Sequence, residues 1–380
     1  MTFSASVARA ADRPQTDTEK KAIDFLLTKQ DPTGAWLPRV GPGLTALTTQ
    51  ALLQSGKTID DPAVKKALNY IASTHQSDGG YYTQGQATYN TAIVLNLLAK
   101  LPHDQYATQI QQAQTFLKNI QEGADANAKD DAGKPLTKDH PWFGGWGYGV
   151  SGAGGGGGGG RGGSRPDLSN TQFVIEALRD SGIPATDPTI QNALVFVTRM
   201  QASEQNDLPW SKGQTDGGFI YSMGFNKKHN FYGTSAAPDH ADRDGNEVLT
   251  TYGSITYAGL KSLLYANLTQ DDPRVKAVLT WVSNHWTLDI NPGMGDASGL
   301  YYYYHTLASA LAASHEETLT DAKGVKHDWR EEYQAHMKTL QRADGSFANT
   351  VKDRWMEQAP ELATTYVVLG LQSIRLHPQP

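Results

Sequence analysis

The chain has 380 residues and is 38% hydrophobic, enough for one large domain or two ordinary ones with a core. Its 33 basic and 39 acidic residues leave a net charge of −6, and the cations are scattered, unlike the clustered Lys and Arg of a nucleic-acid groove. No cysteine is present, which excludes disulfides, thiolate nucleophiles and Cys-ligated zinc, and no run of about 18–20 apolar residues reads as a transmembrane helix.

The chain opens on a polar leader. Ala8-Arg9-Ala10 before Ala11 has the form of a signal-peptidase site, although the apolar segment that should precede it is missing. Residues 1–16 are therefore set apart as a disordered leader or signal-peptide remnant. A periplasmic or secreted location is the expectation and a cytoplasmic one the alternative. Residues 17–380 are expected to form one domain.

From residue 19 to 376 one phrase recurs six times: an amphipathic helix, a Gly-aromatic turn, then a helix carrying Thr among apolar residues. The first copy reads "EKKAIDFLLTKQ", "PTGAW" and "LTTQALL", with Thr49. The second reads "PAVKKALNYIASTHQ", "DGGYY" and "YNTAIVL", with Thr91. The third has a weakly patterned helix over 105–121, then "FGGWGY" and "SNTQFVI" with Thr171. A stretch "GAGGGGGGGRGGS" at 152–164 interrupts it. Its glycines are unpatterned and no Lys-Ser/Thr follows, so it reads as a flexible insertion rather than a phosphate cradle. The fourth copy reads "PTIQNALVFVTRMQ", "DGGFIY" and "SITYAGL", with Thr256. The fifth reads "PRVKAVLTWVSNHW", "SGLYYYY" and "YHTLASA", with Thr306. The sixth has a helix over 328–341, then "DGSF" and "ATTYVVL" with Thr365.

The two helices of each copy differ in kind. The first helices place apolar residues at i, i+3, i+4 and i+7 and charges on the other side. Three of them open with Asp-Pro (Asp61-Pro62, Asp187-Pro188, Asp272-Pro273), an N-cap followed by a residue suited to the first helical position. Second helices such as "TAIVLNLLAKL" and "TYVVLGLQSI" are apolar nearly all round, as buried helices are. Six antiparallel pairs with an outer and an inner member predict an all-α fold, an (α/α)6 toroid. A linear solenoid of the same pairs is the alternative.

Gln30-x-x-x-Gly34-x-Trp36 resembles the repeat of the terpenoid cyclase and protein prenyltransferase superfamily, the squalene cyclase-like α/α toroids. Gln76-x-x-Gly79-Gly80-Tyr81 and Gln341-x-x-x-Gly345-x-Phe347 match it more loosely. The resemblance implies an isoprenoid-like or other apolar ligand in the central cavity. The catalytic signatures it implies are missing. No Asp-x-Asp-Asp tetrad occurs; the nearest stretch, "DHADRDGNE", has Asp242-Arg243-Asp244 followed by Gly245. Asp60-Asp61 and Asp271-Asp272 precede Pro and read as helix caps. Tyr304-His305-Thr306 looks like the segment that bears the prenyltransferases' zinc histidine, but the family's Cys is absent.

The Gly-aromatic turns should gather where the inner helices start, at the mouth of the ring. Of Tyr301, Tyr302, Tyr303 and Tyr304, one or two are expected to face the cavity and the others to wedge between helices. His305 belongs to a mostly polar column with Thr48, Asn90, Asn170, Ile255 and Thr364. It is assigned an acid/base or metal-binding role. If that column faces an open cavity a polar ligand is favoured; if it is buried between helices an apolar one is. Glu247 and Asp296, in loops, complete the catalytic candidates with Tyr304. Asp167 and Glu361 suit helix starts. Trp36, Trp142, Trp146, Tyr252 and Trp355 are expected to form an aromatic wall, and Arg39, Arg165 and Arg354 to bind an anionic group. Asp239, His240, Asp242, Asp244 and Glu247 form a partial calcium loop without the full spacing. Three functions remain: an isoprenoid-binding or isoprenoid-transforming protein, a polysaccharide lyase or glycoside hydrolase with a polar cleft, and a non-catalytic protein-binding scaffold.

Overall fold

A computed structural model describes residues 14–83, 85–125, 129–130, 133–149, 165–226, 230–241 and 247–376. The Ala8-Arg9-Ala10 site, the 152–164 insertion and the Asp242 and Asp244 pair lie outside the described residues.

Among the described residues, twelve α-helices alternate between two rings. The outer ones are α1 (Asp17–Thr28), α3 (Pro62–Ser73), α5 (His103–Asn119), α7 (Pro188–Arg199), α9 (Pro273–Asn284) and α11 (Trp329–Leu340). The inner ones are α2 (Pro42–Gln54), α4 (Ala87–Leu98), α6 (Leu168–Asp180), α8 (Gly253–Tyr265), α10 (Leu300–Ser314) and α12 (Pro360–Leu376). Each inner helix packs on the inner helices before and after it, and α12 packs back on α2. The ring is therefore closed, and the solenoid is set aside. Polar contacts seal the seam: Thr48 Oγ1 lies 2.9 Å from Thr365 Oγ1, Gln372 Nε2 donates to Ala51 O at 2.8 Å, and Arg375 pairs with Glu19 at 3.1 Å. Strands occur only as short hairpins in the connections, β1 (Ser222–Asn226) with β2 (Asn230–Thr234), β3 (His240–Ala241) with β4 (Glu247–Val248), and β5 (Leu319–Thr320) with β6 (Lys326–His327), among the described residues.

Three devices brace each turn: two hold it against the next outer helix and the third ties it to its own inner helix. The glutamine ending an outer helix bridges the turn to the following outer helix. Gln30, Gln121, Gln201 and Gln341 each donate from Nε2 to the carbonyl of the turn glycine and to a carbonyl at the start of the next outer helix, at 2.8–3.0 Å. The turn glycines Gly34, Gly79, Gly144, Gly217 and Gly345 all have φ between 86° and 96°. A Cβ there would lie 1.9–2.7 Å from a carbonyl oxygen of the next outer helix, so only glycine fits both conformation and space. The threonine of the inner helix then accepts the N–H of the turn aromatic at 2.8–3.1 Å: Thr45 from Trp36, Thr91 from Tyr81, Thr171 from Trp146, Thr256 from Phe219 and Thr364 from Phe347.

That pattern corrects the register of two repeats. In the first and sixth, Thr45 and Thr364 do the work assigned to Thr49 and Thr365. The fifth repeat lacks the device: Gly299 is the N-cap of α10, the four tyrosines lie within the helix, and Thr306 bonds back to Tyr302 and Tyr303 carbonyls.

Candidate functional site

Because every inner helix follows its turn in the same sense, all six N-termini gather at one end of the ring. Their free N–H groups and positive dipole ends face that mouth. Side chains occupy several of them. Asn90 Oδ1 accepts from Gly43 N on α2 at 2.8 Å, Asp167 Oδ1 from Asn170 N on α6 at 2.8 Å, Asn291 Oδ1 from Ser254 N on α8 at 2.9 Å, and Glu357 Oε1 from Tyr302 N on α10 at 2.8 Å.

Tyrosines from three inner helices and from two loops converge over these caps. Tyr89 and Tyr366 hydroxyls lie 3.3 Å apart, Tyr221 donates to Tyr148 at 3.3 Å, and Tyr302 meets Ser169 Oγ at 2.9 Å. The rings also touch: Tyr302 and Tyr366 centroids are 5.8 Å apart, and Tyr89 meets Phe173 edge-on at 5.2 Å. Asp167 lies beneath them, 2% exposed. Its Oδ2 accepts from Asn170 Nδ2 at 2.7 Å, and the Tyr221 hydroxyl, whose proton goes to Tyr148, neighbours the carboxyl. Those bonds favour the charged form, yet burial outweighs them and pushes the pKa up to about 7. Burial and this carboxyl push the Tyr148, Tyr221 and Tyr252 hydroxyls far above their usual range.

Glu357 is a second buried carboxyl at the mouth. Burial raises its pKa to about 6. Its oxygens are committed, Oε1 to the N-terminus of α10 and Oε2 to Asn349 Nδ2 at 2.9 Å. Sequence reasoning missed Glu357, Tyr89, Tyr148, Tyr221 and Tyr366. Their one signal was position, each within two turns of an inner-helix start or in a loop leading to one.

The tyrosine run divides by direction. Tyr302 reaches the centre of the ring. Tyr301 donates to Ala348 O at 3.3 Å and Tyr303 to Thr287 O at 2.7 Å. Tyr304 points outward, bonding Leu288 O at 2.7 Å and His336 Nε2 at 3.0 Å, which removes it from chemistry at the axis. His305 does line the axis, stacked on Tyr366 at 5.2 Å, but burial and then Lys261 lower its pKa to about 3. It is neutral at pH 7, so it does not shuttle protons there as expected. Among the described residues, no three His, Asp or Glu side chains form a metal cradle.

Trp36 and Trp146 are core residues, not cavity wall. Their indole N–H groups donate to Leu26 O and Leu117 O at 2.7 and 2.8 Å, pinning the outer helices. Asp296 is a half-buried turn residue held at about 2 by the Ser298 side chain and N–H and by Lys352. It is a poor proton carrier. Glu247 sits in β4, and its side chain lies outside the described residues. The polar column does not act as one surface. Asn90 and Asn170 serve caps, Thr364 holds the Phe347 N–H, Thr48 ties α2 to α12, and only His305 of the five lines the axial cavity. Tyr252 is buried beside Asp167, as a wall residue would be. Arg354 and Trp355 form an exposed rim, with the guanidinium 4.1 Å over the indole. Trp355 remains 47% exposed.

This architecture has known counterparts. Residues 4–90 match the squalene-hopene cyclase C-terminal domain family. A variant of the type II terpene cyclase MstE from Scytonema, in complex with its substrate geranylgeranyl dihydroxybenzoate, superposes with a TM-score of 0.52 at 12% identity, covering 95% of this chain and 96% of that one. A second variant with the product merosterolic acid A gives 0.52 at 13% identity, covering 94% and 96%. A glycosidase variant in complex with glucose gives 0.50 at 11% identity, covering 95% and 97%. No curated protein matches the chain in sequence. The fold is that of the terpenoid cyclase-like α/α toroids.

Proposed function

We propose that the chain binds an isoprenoid or comparably long apolar ligand at the tyrosine-lined mouth and transforms it by proton transfer from Asp167. The observation that carries this reading is a buried carboxyl with a pKa of about 7 under a cluster of tyrosine rings. An acid poised near the working pH is suited to donate a proton. The tyrosine hydroxyls are largely paired with one another, so ring faces are what the cluster offers a ligand. Ring faces attract a developing cation. Protonation of an alkene carbon from Asp167, relayed through Tyr221 and Tyr148, would form a carbocation; loss of a proton after ring closure would give an isomer of the substrate. The segment Asp167-Leu168-Ser169-Asn170 carries only the first carboxyl of an Asp-x-Asp-Asp tetrad. Burial, rather than neighbouring carboxylates, raises its pKa. The likeness to a cyclase bound to a geranylgeranyl compound supports this choice of ligand.

A second reading, glycoside hydrolysis, is favoured by one observation: Asp167 and Glu357 both have raised pKa values, and Tyr302 links them, through its N–H to Glu357 and its hydroxyl to Ser169. A pair of carboxyls is the usual equipment for that chemistry. Against it, both Glu357 oxygens are already committed, one to the N-terminus of α10 and the other to Asn349. Titrating the chain's intrinsic fluorescence with polyprenyl lipids and with oligosaccharides separates the readings. Saturable quenching by polyprenes, weakened at least tenfold in Tyr302→Ala, is the expected result. A response to oligosaccharides alone would overturn it, and a response to neither would leave the rim as a protein-binding surface.

A further inference from the structure

The ring has a second opening. A cavity of about 220 Å³ runs along the axis at the end opposite the mouth, lined by all six inner helices. Its lining reaches the last residues of several of them, including Gln54, Asp180, Tyr265 and Leu376. We infer that this cavity is an independent binding site for a neutral polyhydroxylated molecule of about hexose size.

Charge decides against an ion. Helix C-termini surround the cavity and would favour a cation. Two lysines already answer that field, and each is matched by a carboxylate. Lys261, 2% exposed, donates to Glu176 Oε2 at 2.8 Å, and Lys100 pairs with Asp180 at 3.0 Å. The lining is thus charge-balanced, and a guest ion of either sign would find no unpaired counter-charge there. Hydrogen-bonding capacity decides for a polar guest. Gln50 and Ser309, both partly exposed, present an amide and a hydroxyl to the cavity, and Asn96 adds a second amide to the lining. Donors and acceptors of both kinds around an aromatic floor of Phe173 and His305 suit hydroxyl groups on a compact carbon frame. Size sets the limit, since drug-sized ligands occupy about 300–1,000 Å³.

The floor residues Phe173 and His305 touch the mouth tyrosines Tyr89 and Tyr366, but Asp167, Glu357 and those tyrosines are not in the cavity lining, so either can fail alone. The test is calorimetric titration of the full chain with glucose and with myo-inositol, and with choline and citrate as charged contrasts. Saturable millimolar or tighter binding of a polyol is expected. It should weaken at least tenfold in Ser309→Leu and in Gln50→Leu, which fill or dry the cavity, and persist in Tyr302→Phe at the mouth. Two substitutions on different helices guard against one failing to fold. Absence of polyol binding, binding unchanged in the cavity variants, or preferential binding of choline or citrate would overturn the inference.

Discussion

At Asp167 the N-terminus of α6 and two hydrogen bonds from Asn170 favour a carboxylate, and burial outweighs them. The folded pKa, about 7, stands above the ordinary 3.8. Between those values the folded chain holds more proton at this residue than the unfolded chain does, so its contribution makes stability fall as pH rises. Asp167→Asn keeps a capping side chain and removes the titration. The variant should gain stability relative to the parent at pH 8, on the order of a few kcal/mol, and less at pH 5, about 1–2 kcal/mol, where the folded carboxyl is still protonated. Thermal melts of both proteins at the two pH values check this; an equal shift at both would show that the carboxyl does not titrate there. A residue that destabilises the fold when charged is what an active-site acid often looks like. The sequence showed Asp167 as a helix start. It did not show the raised pKa, because the tyrosines that bury it, Tyr148, Tyr221 and Tyr252, come from segments distant in the chain. His305 was legible as an axial residue, but its neutral form is favoured first by burial and then by Lys261 on the neighbouring inner helix α8, neither of which a local motif shows.

The helix–turn–helix unit was the most legible level. Gln30, Gly34 and Trp36 lie close together in sequence, and each proved to have a bonded task. Gln121 and Gln201 do the same work but stand 23 and 16 residues from their glycines, so inserted loops hid them. The fifth repeat misled in the other direction: a Gly followed by tyrosines mimicked the turn, while the helix had already begun at Leu300. The turn glycines allow a controlled test. Gly144 has φ 86° and a Cβ there would lie 1.9 Å from Asn192 O, whereas Gly182 has φ 98° with nothing within 4 Å. Gly182→Ala should cost about 1 kcal/mol, the conformational term alone. Gly144→Ala adds a backbone clash, for a total of about 3 kcal/mol or more. Urea denaturation of both variants measures the difference; equal losses would mean that the close approach to α7 does not constrain the fold.

At the scale of the ring, six pairs with two kinds of helix were enough to foresee closure, because each inner helix is apolar on too many sides to tolerate an open end. What pattern could not supply was the seam, where the two ends of the chain meet. Arg375 and Glu19, nearly buried, bond across it. Arg375→Ala would strand a buried carboxylate, at a loss of about 3–5 kcal/mol, and chemical denaturation should find it; a loss under about 1 kcal/mol would show that the seam contributes little. The mouth and its chemistry exist only when the ring is closed, since the tyrosines come from α4, α10 and α12 and from loops between other pairs. The most direct measurement is therefore turnover in the intact protein. The purified chain would be incubated in D2O with geranylgeranyl and longer polyprenyl compounds, and the products weighed by mass spectrometry. The expected result is a cyclised isomer carrying one deuterium, formed by the parent protein and reduced at least a hundredfold in Asp167→Asn. Product formed equally by Asp167→Asn, or no conversion of any polyprene by the parent protein, would contradict proton transfer from Asp167 as the activity of this site.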